Sequence, residues 1–266
     1  MFEKAGREYG RCRRCALESA PATDVNANFP LSIDSYEPAY RQYLDDDVGD
    51  AVREDDVVQW IERRVDLKRP GVRVLDVGSG SGKFLRHLRR VRPCEVVGVE
   101  PSGPLFQEYG LAAFGVLPMT LPEFASRHPE PFDVITALDV IEHAPDASEF
   151  VRALAALTKP GGYVFVSTPD ARGGPARLLG RFWHHYNAYH YVLYDADTLA
   201  RAARTAGLVT VESGHRARRM SLSYIGNYAR DFLLRRPVSR VSRAASGWSI
   251  DVNLRDVISV VWQKAA

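Results

Sequence analysis

The spacing of apolar positions changes near residue 70. Upstream, the run DDVVQWIERRV places Val57, Val58, Ile61 and Val65 three or four residues apart, the spacing of one helical face. Tyr36, Tyr40, Tyr43 and Leu44 repeat that spacing, whereas the first thirty residues are polar and show no period. After the breaker KRPG, short apolar runs alternate with helical periods. The runs are VRVLDVG, CEVVGVE, FDVITAL, YVFVSTP, VTVES and DVISVVWQK. Between them lie GKFLRHLRRV, PLFQEYGLAAF, ASEFVRALAALTKPGG and DADTLARAARTAGL, the last opened by a capping Asp195 or Asp197. Buried strands separated by helices predict an α/β fold with a doubly wound, mostly parallel sheet covered on both faces. Residues 214–253 interrupt the alternation and read as a helical insertion before the last strand, with Leu222, Ile225, Phe232 and Leu233 on one stripe.

Composition changes this picture little. The chain has 266 residues, 45% of them hydrophobic and 26% charged, enough for one large domain with appendages or two small ones. A net charge of +2 gives no reason to expect a nucleic-acid partner. Charge is uneven, however: between Ser213 and Ile250 eight arginines face one acid, Asp231. That bias suits a solvated helix face first, and otherwise an acidic substrate, an anionic membrane surface or nucleic acid. An odd count of three cysteines, no signal-peptide pattern and no apolar run near the ~18 residues of a membrane span point to the cytoplasm. Cys12 and Cys15 have metal-ligand spacing, but a structural zinc needs about four ligands. No metal is assigned, and Cys94 reads as a small buried hydrophobe.

The chemistry begins at VLDVGSGSGKFL, where a strand turns into a helix at the edge used by ligands of open α/β sheets. Gly78, Gly80 and Gly82, with Ser79 between, allow a sharp turn and close approach to a ligand. Their spacing is neither that of dinucleotide folds nor that of a P-loop. Asp76 lies in the strand before the loop, where an anion suits a cationic ligand better than a pyrophosphate. Glu100 ends the next strand, 24 residues later, placed to accept hydrogen bonds from ribose hydroxyls.

Together, VLDVGSGSG, VVGVEPS, FDVITALDVIEH and LTKPGGYVFVSTP resemble the successive motifs of class I S-adenosylmethionine-dependent methyltransferases. The likeness is to the small-molecule branch that includes quinone and natural-product enzymes. It implies a Rossmann-like, seven-stranded sheet with an antiparallel last strand, and S-adenosyl-L-methionine as cofactor. It further implies that Asp76 and Gly78 to Gly82 hold the methionine part, and that Glu100 binds the ribose beside Pro101 and Ser102. Met119 and Thr120 would flank the adenine, and Ala137, Leu138 and Asp139 would line the sulfonium side. The domain would cover residues 67–266, with 214–253 as a helical lid, behind an extension over 1–66 that is irregular and then helical.

The methyl would pass by in-line displacement to an oxygen, nitrogen or carbon nucleophile, and an acceptor of the phenol, hydroxyl or ammonium type must lose a proton. His143, in DVIEH just past the strand that faces the cofactor, is the candidate base. The same place lacks the Pro-Pro-aromatic run and the Pro-Cys pair of nucleic-acid methyltransferases, so a small-molecule acceptor is expected. The stretch WHHYNAYHYVLYD is expected to wall that acceptor with Trp183, His185, Tyr186, Tyr189 and His190. It is read as a loop without nearby carboxylates and therefore not as a metal site. Two other readings stand beside this one: a methyltransferase-like binding module without catalysis, and a nicotinamide-dependent oxidoreductase.

Overall fold

The computed structural model describes residues 1–4, 7–20, 47–128, 130–187, 189–222 and 249–266. The chain starts with β1 (Phe2–Lys4), β2 (Arg7–Arg11) and β3 (Glu18–Ser19), followed by helix α1 (Asp47–Glu62). The alternating part then runs β4 (Arg73–Val77), α2 (Lys83–Val91), β5 (Glu95–Val99), α3 (Gly103–Glu108), β6 (Val116–Leu117) and α4 (Leu121–Arg127). It continues with β7 (Phe132–Leu138), α5 (Ala147–Leu157), β8 (Thr158–Pro169), α6 (Gly174–Leu179), β9 (Val192–Leu193), α7 (Ala196–Thr205) and β10 (Leu208–Gly214). Strands β11 (Arg218–Ser221), β12 (Ser249–Val252) and β13 (Val257–Lys264) complete it.

The main sheet has seven strands in the order β10-β13-β8-β7-β4-β5-β6. Neighbours from β8 to β6 pair in parallel, and β13 runs antiparallel between β8 and β10. The expected architecture is present. Alternation along the strands splits the core into two layers. Val164 and Val166 face the cluster that holds Phe150, Leu154 and Trp262, while Phe165 faces the one that holds Trp60, Leu85 and Leu88. The stripe expected on α1 is used as read, since Val57, Val58 and Ile61 all pack into the second layer.

Local signals account for the element ends. Asp195 caps α7, its carboxylate accepting from the Thr198 amide at 2.8 Å. The helix expected over PLFQEYGLAAF breaks at Gly110, which adopts φ 58° and separates α3 from a short 3-10 turn. Helix α5 stops at Leu157, before Pro160, and β8 begins at once.

Two expectations need correction. The first residues are not irregular throughout: β1, β2, β3 and β9 form a second, four-stranded antiparallel sheet. Its pattern is invisible locally because β2 buries one side chain, Tyr9, and the sheet is completed by a strand from the far side of the chain. The insertion at 214–253 is not helical at its ends, where β11 and β12 pair as an antiparallel stem. The helices expected over residues 36–44 and 223–236 fall outside the described residues. Among the described residues, no helix is long and apolar enough to cross a membrane.

Candidate active site

The carboxyl edge of the parallel strands gathers the expected residues. Behind β4 the backbone turns at Gly78, whose amide donates to the Val99 carbonyl at 2.8 Å. Gly78 has φ +69°, and a side chain there would run into Val140, so glycine is required. Asp76 is buried in β4 and accepts the Thr136 hydroxyl at 2.7 Å. Glu100 is buried at the end of β5. It accepts the Gly80 and Ser102 amides, both at 2.9 Å, and so holds the glycine loop to the turn after β5. Ser102 also caps α3.

Burial pushes the Asp76 carboxyl up to about 6, against the Thr136 and Ser79 hydrogen bonds that lower it. Burial likewise pushes Glu100 up to about 7, opposed by its two amide donors and reinforced by the charge of Asp76. Among the described residues, no positive charge offsets these two buried carboxylates. A ligand bringing a cation and hydroxyl donors would relieve both, which is how the donor set fits S-adenosylmethionine. The loop between β6 and α4 fits less fully. Met119 is half-buried, but the Thr120 hydroxyl is committed to Glu123 in a capping box.

At the end of β7, Ala137 is core and Leu138 packs on the second layer. Asp139 turns back with φ 56°, a costly conformation outside glycine and one that concentrates at functional sites. Its carboxylate accepts the Ser167 hydroxyl at 3.0 Å and Arg218, from the insertion stem, at 2.9 Å.

One turn further lies a cluster that single motifs do not reveal. His143 donates from Nδ1 to the Tyr189 carbonyl at 2.9 Å. His190 is buried and reaches the His185 carbonyl from Nδ1 at 2.8 Å, a shorter contact than the 3.4 Å one with Asn187. Both rings are therefore assigned the tautomer that leaves Nε2 as an acceptor. The rings stand edge to face with centroids 4.8 Å apart, and His190 stacks on His185. Burial holds all three imidazoles below the ordinary histidine range. Glu142 is buried beside them, accepting the Thr168 hydroxyl at 2.8 Å. Burial, and then the charge of Asp139, push its carboxyl up to about 8.

The aromatic stretch needs two corrections. Trp183 and Tyr186 are core residues, packed with Tyr9, Ala20 and Leu193 between the small sheet and α6, and the Tyr186 hydroxyl donates to Glu18 at 2.7 Å. The N-terminal strands, whose pairing the sequence conceals, cover them. His185, His190 and the backbone of Tyr189 do lie on the His143 side. Nor is the stretch remote from carboxylates, since donor atoms of Glu142, His143 and His190 lie within 4.8 Å of one another. Adjacency in DVIEH was the available signal for Glu142. Nothing in the sequence pointed to Thr136, Thr168 or Arg218.

The burial of Trp183 sets a stability expectation. Its side chain is fully enclosed. Trp183→Ala should cost about 3–5 kcal/mol, a loss to be read as a lower urea midpoint. An unchanged midpoint would show that the small sheet contributes nothing to stability.

The family described as "Methyltransferase domain" matches residues 50–213. A ubiquinone biosynthesis O-methyltransferase of Bordetella bronchiseptica is 35% identical over 157 residues, which are 52% of this chain and 62% of the relative. The chain thus spans less than two thirds of that relative's length. Among solved structures, a SAM-dependent methyltransferase from Archaeoglobus fulgidus superposes with TM-score 0.54 at 15% identity, over 79% of this chain and 94% of that one. Magnesium protoporphyrin IX methyltransferase from Synechocystis PCC 6803, with bound SAH, gives 0.51 at 17% identity, over 82% of this chain and 84% of that one. These structures share the fold, and the family match spans the glycine loop, Glu100 and the histidine cluster: the chain belongs to the methyltransferase-domain family.

Proposed function

We propose that this chain transfers a methyl group from S-adenosylmethionine to a hydroxyl of a small-molecule acceptor. The pair of buried carboxylates flanking the glycine loop, Asp76 and Glu100, carries the reading. Bound there, S-adenosylmethionine supplies an electrophilic methyl group on a sulfonium. Asp76 and the loop from Gly78 to Gly82 would hold its methionine part, and Glu100, beside Pro101 and Ser102, its ribose. Met119 and Thr120 border the adenine side, and Ala137, Leu138 and Asp139 the sulfonium side. Alignment is the main service the protein gives such a displacement, and it can lower a barrier by several kcal/mol, up to about 7–11.

The acceptor end supports a hydroxyl. Buried imidazoles that stay neutral at pH 7 accept protons, and His143 would take the acceptor's proton at Nε2. The name of the Bordetella relative specifies O-methylation, which agrees. The described stem of the insertion is tied to this end where Arg218 on β11 meets Asp139. Incubation with methyl-labelled cofactor and a panel of phenols should yield labelled ether. Failure to bind S-adenosylmethionine at millimolar concentration by calorimetry would end the proposal.

Affinity for the cofactor should depend on pH with a definite sign. The folded carboxyl of Glu100 sits near 7, above its unfolded value. Between the ordinary carboxylate range and pH 7 the ligand-free fold therefore loses stability as pH rises, because it must give up a proton that burial favours. Binding needs the ionised form and goes the other way. Affinity should fall about tenfold from pH 8 to pH 6 in calorimetric titrations. A flat profile would show that Glu100 does not act as a charged acceptor for the ligand.

A further inference from the structure

We propose that Cys12 and Cys15 form a reversible dithiol–disulfide site at the tip of the β2–β3 hairpin, open to small disulfides that carry carboxylates. The site lies outside the methyl-transfer reading and does not depend on it. Its geometry is local. Strands β2 and β3 pair antiparallel through Gly10–Ser19 and Arg11–Glu18, which leaves residues 12–17 as the connection. The Ala16 amide donates to the Cys12 carbonyl at 2.9 Å, closing a single helix-like turn over the pair, and the Cys12 amide donates to the Leu17 carbonyl at 2.9 Å. Ala16 leaves the turn with φ 61°, a left-handed conformation uncommon outside glycine, and its carbonyl accepts from Arg11 Nε at 3.2 Å. Residues three apart in a helix-like turn carry Cβ atoms about 5–6 Å apart. A disulfide requires about 3.5–4.5 Å, so a small closure of the turn completes the bond.

The two sulfurs have different surroundings. Cys12 is exposed and Cys15 half-buried. The Cys12 sulfur accepts from the Cys15 amide, the Arg14 amide and the Cys15 thiol. Two consecutive amides aimed at one atom make an anion-binding nest. These hydrogen bonds, and then the Arg14 charge, hold the Cys12 thiol below the ordinary cysteine range. Arg11, Arg13 and Arg14 are all exposed in the same stretch, a positive setting that suits both an attacking thiolate and a carboxylate-bearing disulfide. The Cys12 thiolate attacks one sulfur of the incoming disulfide, whose S–S bond breaks as one thiolate leaves. The Cys15 thiol then gives its proton to solvent, and its sulfur displaces the second thiolate from Cys12 to form the internal bond. Two protein thiols are oxidised, and one external disulfide is reduced to two thiols. Cys94 is the internal comparison, half-buried and with its thiol pushed up by burial.

The test uses the full chain, fully reduced, with oxidised glutathione as the probe and intact mass with peptide mapping as the readout. The wild type should lose two hydrogens to a Cys12–Cys15 bridge, retain no glutathione, and return to the dithiol with dithiothreitol. Cys15→Ser should stop at a glutathione adduct on Cys12. With iodoacetamide at neutral pH, Cys12 should be alkylated about tenfold or more faster than Cys94. Thermal melts report whether each variant is folded. Should Cys15→Ser fail to fold, Cys15→Ala carries the comparison. The inference is overturned by a wild type that keeps its glutathione adduct, or by first reaction at Cys94. It is also overturned by stoichiometric zinc that copurifies with the wild type and is lost in Cys12→Ser, because the pair would then be half of a metal site.

Discussion

Glu100→Gln should lower affinity for S-adenosylmethionine by about 30- to 700-fold while leaving the fold intact. The carboxylate has two tasks at once. It accepts the Gly80 and Ser102 amides, which shapes the loop, and it presents charged acceptor capacity to the ligand. A glutamine keeps one acceptor oxygen and one of those tasks. Losing one to two charge-assisted hydrogen bonds corresponds to about 2–4 kcal/mol of binding energy. Stability should respond with the opposite sign at high pH. Burial holds the native carboxyl near 7, so above that pH the wild-type fold bears an ionised buried group that the amide lacks. Calorimetric titration and thermal melts at pH 6 and pH 8 test both halves. An affinity within threefold of wild type would remove Glu100 from the cofactor site.

The proposed cofactor cradle was legible in the sequence because its signals are local. Asp76, the three loop glycines and Glu100 sit at strand ends in one contiguous βαβ unit, and their placement follows from chain order once the strands are recognised. The acceptor half was not, because tertiary contacts make it. His143 meets Tyr189 and His190 across more than forty residues of chain, and Tyr9 meets Asn187 across 178. The same thirteen-residue aromatic stretch therefore divides in a way no spacing reveals. Trp183 and Tyr186 turn inward under the first strands, while His185 and His190 turn toward DVIEH. In the insertion only the flanking stem departs from the helical expectation, where β11 pairs with β12, and the periodic stripe beyond Leu222 lies outside the described residues.

His143→Gln should reduce turnover by a factor of about 10²–10⁴ at neutral pH, with cofactor affinity within a few fold of wild type. The separation follows from geometry. His143 is anchored through Nδ1 to Tyr189, whereas Asp76 is held by Thr136 and Glu100 by the Gly80 and Ser102 amides. Glutamine can still donate to the Tyr189 carbonyl but offers no basic lone pair, so packing survives while proton removal does not. The pH profile carries the sign. Burial lowers the pKa of His143 from its ordinary 6.5, so the ring is neutral and competent throughout the physiological range. Turnover of the wild type should stay level across neutrality and fall only as the pH drops below that value. His190 is held neutral by burial in the same way, and its ring faces His143 edge-on, so His190→Gln should also slow turnover but less, by positioning. Single-turnover rates across pH separate the two. If His190→Gln is the more damaging substitution and His143→Gln leaves the acid limb in place, His190 is the proton acceptor and His143 only positions it.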